Sequence, residues 1–318
     1  MRVLACDGVA KEAVDMLKNA GHDVVEADPS PEELENMICD FHGVIVRSKS
    51  KVTRSVIDKG TNLKGIARAG IGVDNIDVAY AKEKGIPVVN APTGSTNSVA
   101  ELSLGLILAL ARNIVWADST TKQGRWEKKK LKGLEVDGKV LGLVGVGNIA
   151  QCLAEKAQAL GMTTIGYDPY LPQEVAAAAG VELKDLDNVL KEADYVSLHV
   201  VLTDETRGMI GAEKIALMKP SGCIVNCARG GVVDEKALYN ALKEKRIRAA
   251  ALDVFEKEPL ADSPLAELDN IILTPHIGAS TKEGQIRAGT IVVEQLLMAM
   301  NDKKPDYLVN TQLSGKWG

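Results

Sequence analysis

The stretch that decides the predicted fold is Lys139-Val140-Leu141-Gly142-Leu143-Val144-Gly145-Val146-Gly147-Asn148-Ile149-Ala150. Its first half is an aliphatic run typical of a buried β-strand, and a helical pattern follows over residues 151–160. Gly145 permits a tight turn, Gly147 lets a ligand approach the backbone, and Ala150 lets the helix lie close to the strand. A strand, turn and helix joined in this way are typical of a parallel α/β sheet.

The same turn favours a phosphate-containing ligand, because the free N–H groups at a helix start attract anions. A glycine-rich turn can also occur without any ligand, so the glycines alone leave both interpretations open. The next predicted strand, residues 163–167, ends at Asp168, which is 21 positions after Gly147. A carboxylate there accepts hydrogen bonds from ribose hydroxyls and repels a 2′-phosphate. No Arg or Lys follows in residues 169–172, so we predict NAD, and not NADP, as the cofactor.

Outward from this unit, short apolar runs alternate with helical patterns, which predicts two doubly wound parallel-sheet domains of the α/β class. A helical pattern over 281–300 and a strand over 307–309 end the chain and suggest a return to the first domain. We therefore expect a Rossmann-type cofactor domain inserted into a flavodoxin-like substrate domain. The expected bounds are residues 92–279 for the cofactor domain and 1–91 with 280–318 for the substrate domain.

One long, Leu- and Ala-rich helical pattern runs over residues 96–122. A helix this apolar needs covering on more than one side. Burial in the core explains the pattern, but we favour a subunit interface and hence a homodimer.

Composition excludes several classes of protein. The 318 residues carry a net charge of −5, which argues against a nucleic-acid partner. The longest uncharged aliphatic stretch, Leu102–Ala111, is about half of a membrane span, and no signal peptide opens the chain. We therefore expect a soluble, cytoplasmic protein without membrane contact.

The cysteines are odd in number and scattered without a CxxC pair, which predicts reduced, buried thiols and neither disulfides nor a metal site: Cys6, Cys39, Cys152, Cys223 and Cys227.

The chain has four histidines. His22 and His42 lie in predicted turns and are expected to be solvated, whereas His199 ends a strand and could line a cofactor cleft. His276 follows a predicted strand over 271–274, at the edge of a parallel sheet where ligands bind. A lone histidine is more often structural, so its position alone leaves both roles open.

The segments after two further predicted strands lie at the same edge of the sheet as His276, and they contain Arg229 and Glu258. A histidine can take a hydroxyl proton, a carboxylate can orient it, and an arginine can bind a substrate carboxylate. These types suit hydride transfer from a 2-hydroxy acid, and Asp253 could fix the nicotinamide carboxamide. The alternative is that Arg229 and Glu258 are ordinary surface residues.

The chain resembles the D-isomer-specific 2-hydroxyacid dehydrogenase family over essentially its whole length. The motifs that carry the resemblance are Val46-Arg47-Ser48, Arg68-Ala69-Gly70-Ile71-Gly72-Val73-Asp74-Asn75, Asn90-Ala91-Pro92, Gly124-Arg125-Trp126-Glu127, Asn226-Cys227-Ala228-Arg229-Gly230-Gly231, Ala251-Leu252-Asp253-Val254-Phe255 and Pro275-His276-Ile277-Gly278-Ala279-Ser280-Thr281.

The resemblance implies a role for each matching position. Arg229, Glu258 and His276 match the family's catalytic residues, and Arg229 and His276 are also placed beside the cofactor. The other implied cofactor contacts are Asn148, Ile149, Asp168, Val200, Cys227, Ala228, Asp253, Gly278 and Ala279. The family is typically dimeric through its long central helix, in agreement with the interpretation of residues 96–122.

The implied substrate is a small 2-hydroxy or 2-keto acid. The branch of the family that oxidises D-3-phosphoglycerate resembles this chain at Arg47, Ser48 and Lys51, which would meet a phosphate. Gly70, Ile71, Gly72 and Lys128 complete the expected substrate residues. The basic run around Lys128 could add charge from a neighbouring subunit, although such a run is ordinarily a solvated face.

Two other functions stay open. One is reduction of glyoxylate, hydroxypyruvate or another unphosphorylated keto acid, and the other is an NAD(H)-sensing corepressor-like scaffold, against which the intact catalytic trio argues. Asn148, Ser95 and Ile71 depart from the family's usual residues and bear on affinity and substrate detail. Since the sequence ends at Gly318, we expect no feedback by serine through a C-terminal sensing domain.

Overall fold

The computed structural model describes residues 1–311, 313 and 317. The chain forms two compact units, which we call the first unit (Met1–Thr96 with Ala279–Gly318) and the second unit (Asn97–Gly278). Within each of the two sheets, every pair of neighbouring strands is parallel. The fold class predicted from the sequence, α/β with two parallel sheets, is confirmed.

The first unit contains a five-stranded sheet of order β2-β1-β3-β4-β5, the flavodoxin-like order. With elements numbered in chain order, its strands are β1 (Arg2–Cys6), β2 (Asp23–Ala27), β3 (Gly43–Val46), β4 (Gly65–Arg68) and β5 (Val88–Asn90). Its helices are α1 (Lys11–Asn19), α2 (Pro31–Met37), α3 (Arg54–Lys59), α4 (Val78–Glu83) and, after the second unit, α12 (Lys282–Met300).

Glycines on adjacent strands let α12 lie directly on the first sheet. A Cβ built on Gly65 would stand 2.8 Å from Leu296 Cδ1, and one on Gly43 would stand 2.9 Å from Met300 Sδ. Leu296 and Met300 are buried with Val292 and Val293 of the same helix. The returning helix is therefore part of the core of the first unit.

The second unit is built on a seven-stranded sheet of order β12-β11-β10-β9-β6-β7-β8. Strands β7 and β8 are added on one side of β6, and strands β9 to β12 are added on the other. The strands are β6 (Val140–Val144), β7 (Thr163–Tyr167), β8 (Glu182–Leu183), β9 (Tyr195–Leu198), β10 (Cys223–Asn226), β11 (Ala249–Leu252) and β12 (Ile271–Leu273). The helices are α5 (Thr96–Arg112), α6 (Ile114–Lys122), α7 (Asn148–Gln158), α8 (Gln173–Ala178), α9 (Leu186–Glu192), α10 (Ala212–Leu217) and α11 (Glu235–Lys243).

The predicted single helix over residues 96–122 is wrong, because the chain breaks it at Asn113. Asn113 has a φ of 55°, in the left-handed region that asparagine tolerates better than most residues. The last carbonyls of α5 are satisfied from outside the helix: Leu134 N–H donates to Ala111 O at 2.8 Å and Arg248 Nη2 donates to Leu110 O at 3.0 Å. These donors replace the next helical turn.

Other local predictions also need correction. Helix α7 begins at Asn148, three residues earlier than expected. Residues 307–309 do not form a strand and make a single antiparallel bridge between Leu308 and Val89. Two cysteines expected to be buried are not, since Cys39 is exposed and Cys152 is half-buried. His22 and His42, expected to be solvated, are both half-buried, and His42 accepts a hydrogen bond from Arg2 N–H at 3.2 Å.

Within the part of the chain that the structure describes, no single helix is both long and apolar enough to cross a membrane. Among the described residues, one pair of helices, α5 and α6, has the required length and composition when taken together, and the pair is bent by 64° at its junction. Among the same residues, no group of three or more His, Cys, Asp or Glu side chains is arranged to hold a metal ion.

The contact between Gly65 and Leu296 gives a prediction about stability. Replacing Gly65 by Ala should lower the free energy of unfolding by about 1–3 kcal/mol, because the added methyl group overpacks the interface with α12. Urea denaturation measures the change. In the double variant Gly65→Ala/Leu296→Ala, the space released by Leu296 should make the combined loss smaller than the sum of the two single losses. Additive losses would contradict this account.

Candidate active site

Three neighbouring strands of the second sheet deliver the predicted catalytic residues to one edge. Arg229 lies three residues after β10, Glu258 lies six residues after β11, and His276 lies three residues after β12. Because β10, β11 and β12 are adjacent and parallel, their carboxyl ends lie side by side. Residues far apart in the sequence therefore reach a common edge.

Glu258 and His276 are in direct contact. His276 Nδ1 lies 2.8 Å from Glu258 Oε2, and the other carboxylate oxygen accepts a hydrogen bond from Phe255 N–H at 3.1 Å. A carboxylate beside Nδ1 favours the tautomer with the proton on Nδ1 and leaves Nε2 as the basic nitrogen. Both side chains keep exposed surface, at 50% for His276 and 36% for Glu258. The pair is thus accessible and oriented for proton transfer.

The turn that carries His276 is held by Asp253, whose surface is completely buried. Asp253 Oδ1 accepts hydrogen bonds from Thr274 Oγ1 at 2.6 Å and Ile277 N–H at 2.8 Å, and Oδ2 accepts one from Gly278 N–H at 2.8 Å. His276 itself has a left-handed φ of 53°, so the turn needs such support. The sequence pattern predicts that Asp253 contacts the nicotinamide carboxamide. Its support of the His276 turn is a second role, which the spacing between Asp253 and His276 does not reveal.

The loop that carries Arg229 is fixed by Asn226, which is 2% exposed. Asn226 Nδ2 donates to Arg229 O at 2.9 Å, and its Oδ1 accepts from Ala228 N–H at 3.0 Å. Arg229 Nη1 donates to Ala228 O at 2.7 Å. The Asn226 amide therefore fixes the backbone at both Ala228 and Arg229.

The Arg229 loop also lies against the loop of Glu258. A Cβ on Gly230 would stand 1.8 Å from Phe255 O, so only glycine permits this approach. Glu235 and Glu256 add a reciprocal pair, with Glu256 N–H donating to Glu235 Oε1 at 2.6 Å and Glu235 N–H donating to Glu256 Oε1 at 3.3 Å. Burial raises the pKa of the Glu235 carboxyl. The two loops are therefore linked by backbone as well as side-chain contacts.

The glycine-rich turn has the geometry of a dinucleotide cradle. Gly145 has a φ of 83°, and a Cβ on it would stand within 3.0 Å of Val200 and His199 atoms. By contrast, the position of a Cβ on Gly147 is open, with nothing within 4 Å. Gly147 caps α7 without any side-chain hydrogen bond, so the N–H groups of the first turn can face a pyrophosphate. The backbone therefore fits the predicted cofactor.

Asp168 ties the neighbouring loop to this cradle. Its Oδ2 accepts a hydrogen bond from Val146 N–H at 2.9 Å, and its Oδ1 accepts from Tyr170 N–H at 3.0 Å and Leu171 N–H at 3.1 Å. A carboxylate has about four acceptor positions, so with three occupied about one remains for a ribose hydroxyl. The Asp168 carboxylate thus fits the adenosine ribose of NAD as a hydrogen-bond acceptor.

Further predicted cofactor residues lie near the carboxyl ends of the strands of the second unit. Val200 lies against Gly145, Ile149 is half-buried in α7, and Ala228 precedes Arg229. Burial raises the pKa of the Cys227 thiol to about 12, so it stays protonated and acts as a packing group. Burial also lowers the pKa of His199 to about 4, and Ser197 Oγ lies 2.9 Å from its Nε2. The His199 imidazole is therefore uncharged at neutral pH and has a structural role.

The predicted substrate residues other than Lys128 lie in two loops of the first unit. In the loop after β3, Asp7 Oδ2 accepts from Arg47 N–H at 2.8 Å and Oδ1 accepts from Ser50 Oγ at 2.6 Å. Arg47 Nη1 donates back to Asp7 O at 3.1 Å, and Asn75 Nδ2 donates to both Arg47 O and Ser50 O. Asp7 and Asn75 thus hold the loop that carries Arg47, Ser48 and Lys51, a role that sequence reasoning missed.

The second of these loops, which contains Gly70, Ile71 and Gly72, is equally constrained. Asn90 Nδ2 donates to Ile71 O at 2.7 Å, and a Cβ on Gly70 would overlap the Arg68 guanidinium. Lys128 belongs to the exposed segment after α6 in the second unit. In that segment Glu127 pairs with Arg125 and Lys130, which offsets part of the basic charge.

Comparison with known proteins places this geometry in a family. The family model for the D-isomer specific 2-hydroxyacid dehydrogenase, NAD binding domain, matches residues 104–278. The chain is 53% identical to a D-3-phosphoglycerate dehydrogenase of Methanocaldococcus jannaschii over 98% of its own length, and it spans 59% of that relative. It is 50% identical to a hydroxypyruvate reductase of Thermotoga maritima, covering 93% of this chain and 97% of the relative.

The solved structures agree. An acyclic imino acid reductase in complex with NADPH and D-Arg superposes with a TM-score of 0.86 at 28% identity, covering 97% of this chain and 100% of that one. A D-lactate dehydrogenase of Aquifex aeolicus complexed with NAD and lactic acid superposes with a TM-score of 0.81 at 31% identity, covering 94% of this chain and 95% of that one. Structures similar to this chain therefore hold either NADPH or NAD.

Proposed function

Because this chain belongs to the D-isomer-specific 2-hydroxyacid dehydrogenase family, with an NAD-binding domain in its second unit, we propose that it oxidises D-3-phosphoglycerate to 3-phosphohydroxypyruvate. That reaction would supply the first step of serine synthesis. The observation that carries the chemistry is the contact of 2.8 Å between His276 Nδ1 and Glu258 Oε2, beside the Arg229 loop. The choice of substrate rests on the identity of 53% to the archaeal phosphoglycerate dehydrogenase.

His276 takes the hydroxyl proton in this mechanism. Its Nδ1–H donates to Glu258, so the lone pair of Nε2 is free to accept the proton from the substrate. The imidazolium that forms is stabilised by the Glu258 carboxylate. The Gly145–Gly147 turn and Asp168 would hold NAD, which would supply the acceptor for the hydride of the carbon that bears the hydroxyl group.

Arg229 binds and orients the acid. Its guanidinium can hold the substrate carboxylate through two parallel hydrogen bonds, which fixes the reacting carbon relative to His276. Gly230 and Asn226 keep the Arg229 loop against the loop of Glu258. The substrate phosphate is assigned to Arg47, Ser48 and Lys51, with Gly70, Ile71, Gly72 and Lys128 as further contacts.

Reduction of hydroxypyruvate is the second candidate. It is favoured by the identity of 50% to the bacterial hydroxypyruvate reductase, which this chain covers almost completely. That activity would use His276, Glu258 and Arg229 in the reverse direction and would need no phosphate contact.

We further propose that the protein forms a homodimer through α6 and the segment that follows it. Ile114 and Val115 on α6 are 53% and 44% exposed, and Trp126 is 83% exposed. Ile114 and Val115 are adjacent on α6, and contiguous apolar surface of this kind marks association sites. A second copy of this chain would remove them from water.

The first prediction from the proposed function is a preference for a phosphorylated substrate. The value of kcat/KM for D-3-phosphoglycerate with NAD should exceed that for D-glycerate by about a hundredfold, since phosphate contacts of this kind contribute several charge-assisted hydrogen bonds. Steady-state NADH formation measures both values. A preference for D-glycerate, or for hydroxypyruvate in reduction, would overturn the phosphoglycerate assignment and favour the second candidate.

Loss of the proton acceptor is the second prediction. His276→Asn should lower kcat by at least about a hundredfold, the usual contribution of a general base. Calorimetric titration should show NAD affinity within about threefold of the parent, because the cradle is unchanged. As a control, His22→Asn, in the first unit and outside the site, should keep kcat. Activity of His276→Asn within a few-fold of the parent would refute the mechanism.

The third prediction concerns assembly. Replacing Ile114 and Val115 together by Asp should convert a dimer into a monomer, because two buried charges would cost several kcal/mol at the interface. Light scattering after size exclusion measures the mass. Val175 on α8 is also exposed, at 41%, and Val175→Asp should leave the dimer intact. A parent protein that is already monomeric would exclude the proposed dimer.

A further inference from the structure

The loops that follow β7 and β9 are joined by one side-chain contact. Tyr170 Oη donates a hydrogen bond to Glu205 Oε2 at 3.2 Å. The carboxylate raises the pKa of the Tyr170 phenol, which keeps the donor proton in place. In the sheet, β6 lies between β7 and β9. A contact between the loops at the carboxyl ends of those two strands therefore spans the end of β6, where the Gly145–Gly147 turn begins.

The tyrosine side of this contact is tightly held. Tyr170 and Leu171 donate their N–H groups to Asp168 Oδ1, at 3.0 and 3.1 Å. Pro169 and Pro172 restrict the backbone on either side, because each fixes its own φ. The backbone at Tyr170 is thus held by the same carboxylate that is expected to contact ribose.

The glutamate side is held by a small threonine turn. Thr203 N–H donates to Thr206 Oγ1 at 2.8 Å, and Thr206 N–H donates to Thr203 Oγ1 at 3.2 Å. Thr206 Oγ1 also donates to Val201 O at 2.6 Å. Glu205 lies inside this turn, so its backbone has little freedom to move away.

Tyr170 therefore contacts two carboxylates: its backbone N–H donates to Asp168, and its phenol donates to Glu205. In an NAD molecule whose pyrophosphate lay on α7 and whose ribose reached Asp168, the adenosine half would face the loop of Asp168, to which Glu205 is joined through Tyr170. A 2′-phosphate on that ribose would add a charge of about −2 close to two negative groups.

We propose that Glu205, positioned by Tyr170, is a second specificity-determining carboxylate that acts with Asp168 to select NAD against NADP. The fold does not make this selection by itself, because a structure of the same architecture holds NADPH. The inference rests on the cofactor domain alone and does not depend on which hydroxy acid is oxidised.

The central experiment is Glu205→Gln. Glutamine keeps an oxygen that can accept the hydrogen bond from Tyr170 but removes the charge. Calorimetric titration with NAD and, separately, with NADP should show NADP binding about tenfold tighter than in the parent, the size of a charge–charge repulsion in a largely solvated site. The affinity for NAD should stay within about twofold.

Two further variants separate position from charge. Asp204→Asn is the matched control, since it removes one exposed negative charge from the adjacent residue, and it should change the NADP to NAD affinity ratio by less than about twofold. Tyr170→Phe keeps both carboxylates but frees Glu205, and it should tighten NADP binding by about threefold. Melting temperatures of all three variants should match that of the parent, because the altered side chains are exposed.

An unchanged affinity ratio in Glu205→Gln would overturn the proposal. Equal shifts in Glu205→Gln and Asp204→Asn would also overturn it, because the effect would then belong to the net charge of the surface. If Tyr170→Phe behaves as the parent, Tyr170 does not position Glu205 and the proposal is wrong in this form. Since cofactor binding is the readout, a failed test with D-3-phosphoglycerate would leave this result unaffected.

Discussion

The carboxylate of Asp253 lies without exposed surface at the end of β11, where it accepts three hydrogen bonds from the segment 274–278. A buried charge is tolerated only when its acceptor positions are filled, and leaving them unfilled costs several kcal/mol. The segment that carries His276 therefore has one favourable arrangement. The same strand end also leads to Glu258, so one loop supplies both the anchor of the turn and the partner of its imidazole.

Polar side chains at strand ends are used in the same way elsewhere in the molecule. Asn226 at the end of β10 holds the backbone of Arg229, and Asp168 after β7 binds the glycine-rich turn as well as its own loop. In the first unit, Asp7 after β1 holds the loop that begins with Arg47. Each of these groups satisfies backbone donors or acceptors that a loop would otherwise leave unpaired. The backbone of these loops is thereby held by hydrogen bonds at the carboxyl ends of the strands that precede them.

Glycines complete this construction where two backbones must approach. Gly230 lies against the Phe255 carbonyl, and Gly65 lies against Leu296 of α12. The first approach links the loops that carry Arg229 and Glu258, and the second joins α12 to the sheet of the first unit. In both positions the absence of a Cβ, more than conformational freedom, is the property that the structure requires.

The sequence by itself determined the parallel α/β class, the glycine-rich turn with Asp168, and the delivery of Arg229, Glu258 and His276 to one sheet edge. These features depend on residues close together in the chain: the alternation of strands and helices, and the spacing of glycines after a strand. Tertiary structure decided the break at Asn113, the lack of a strand over 307–309, the anchoring role of Asp253, and the contact between Tyr170 and Glu205. Each of these is set by partners on other elements, such as Arg248 at the end of α5, and local sequence patterns carry no information about which distant groups will meet.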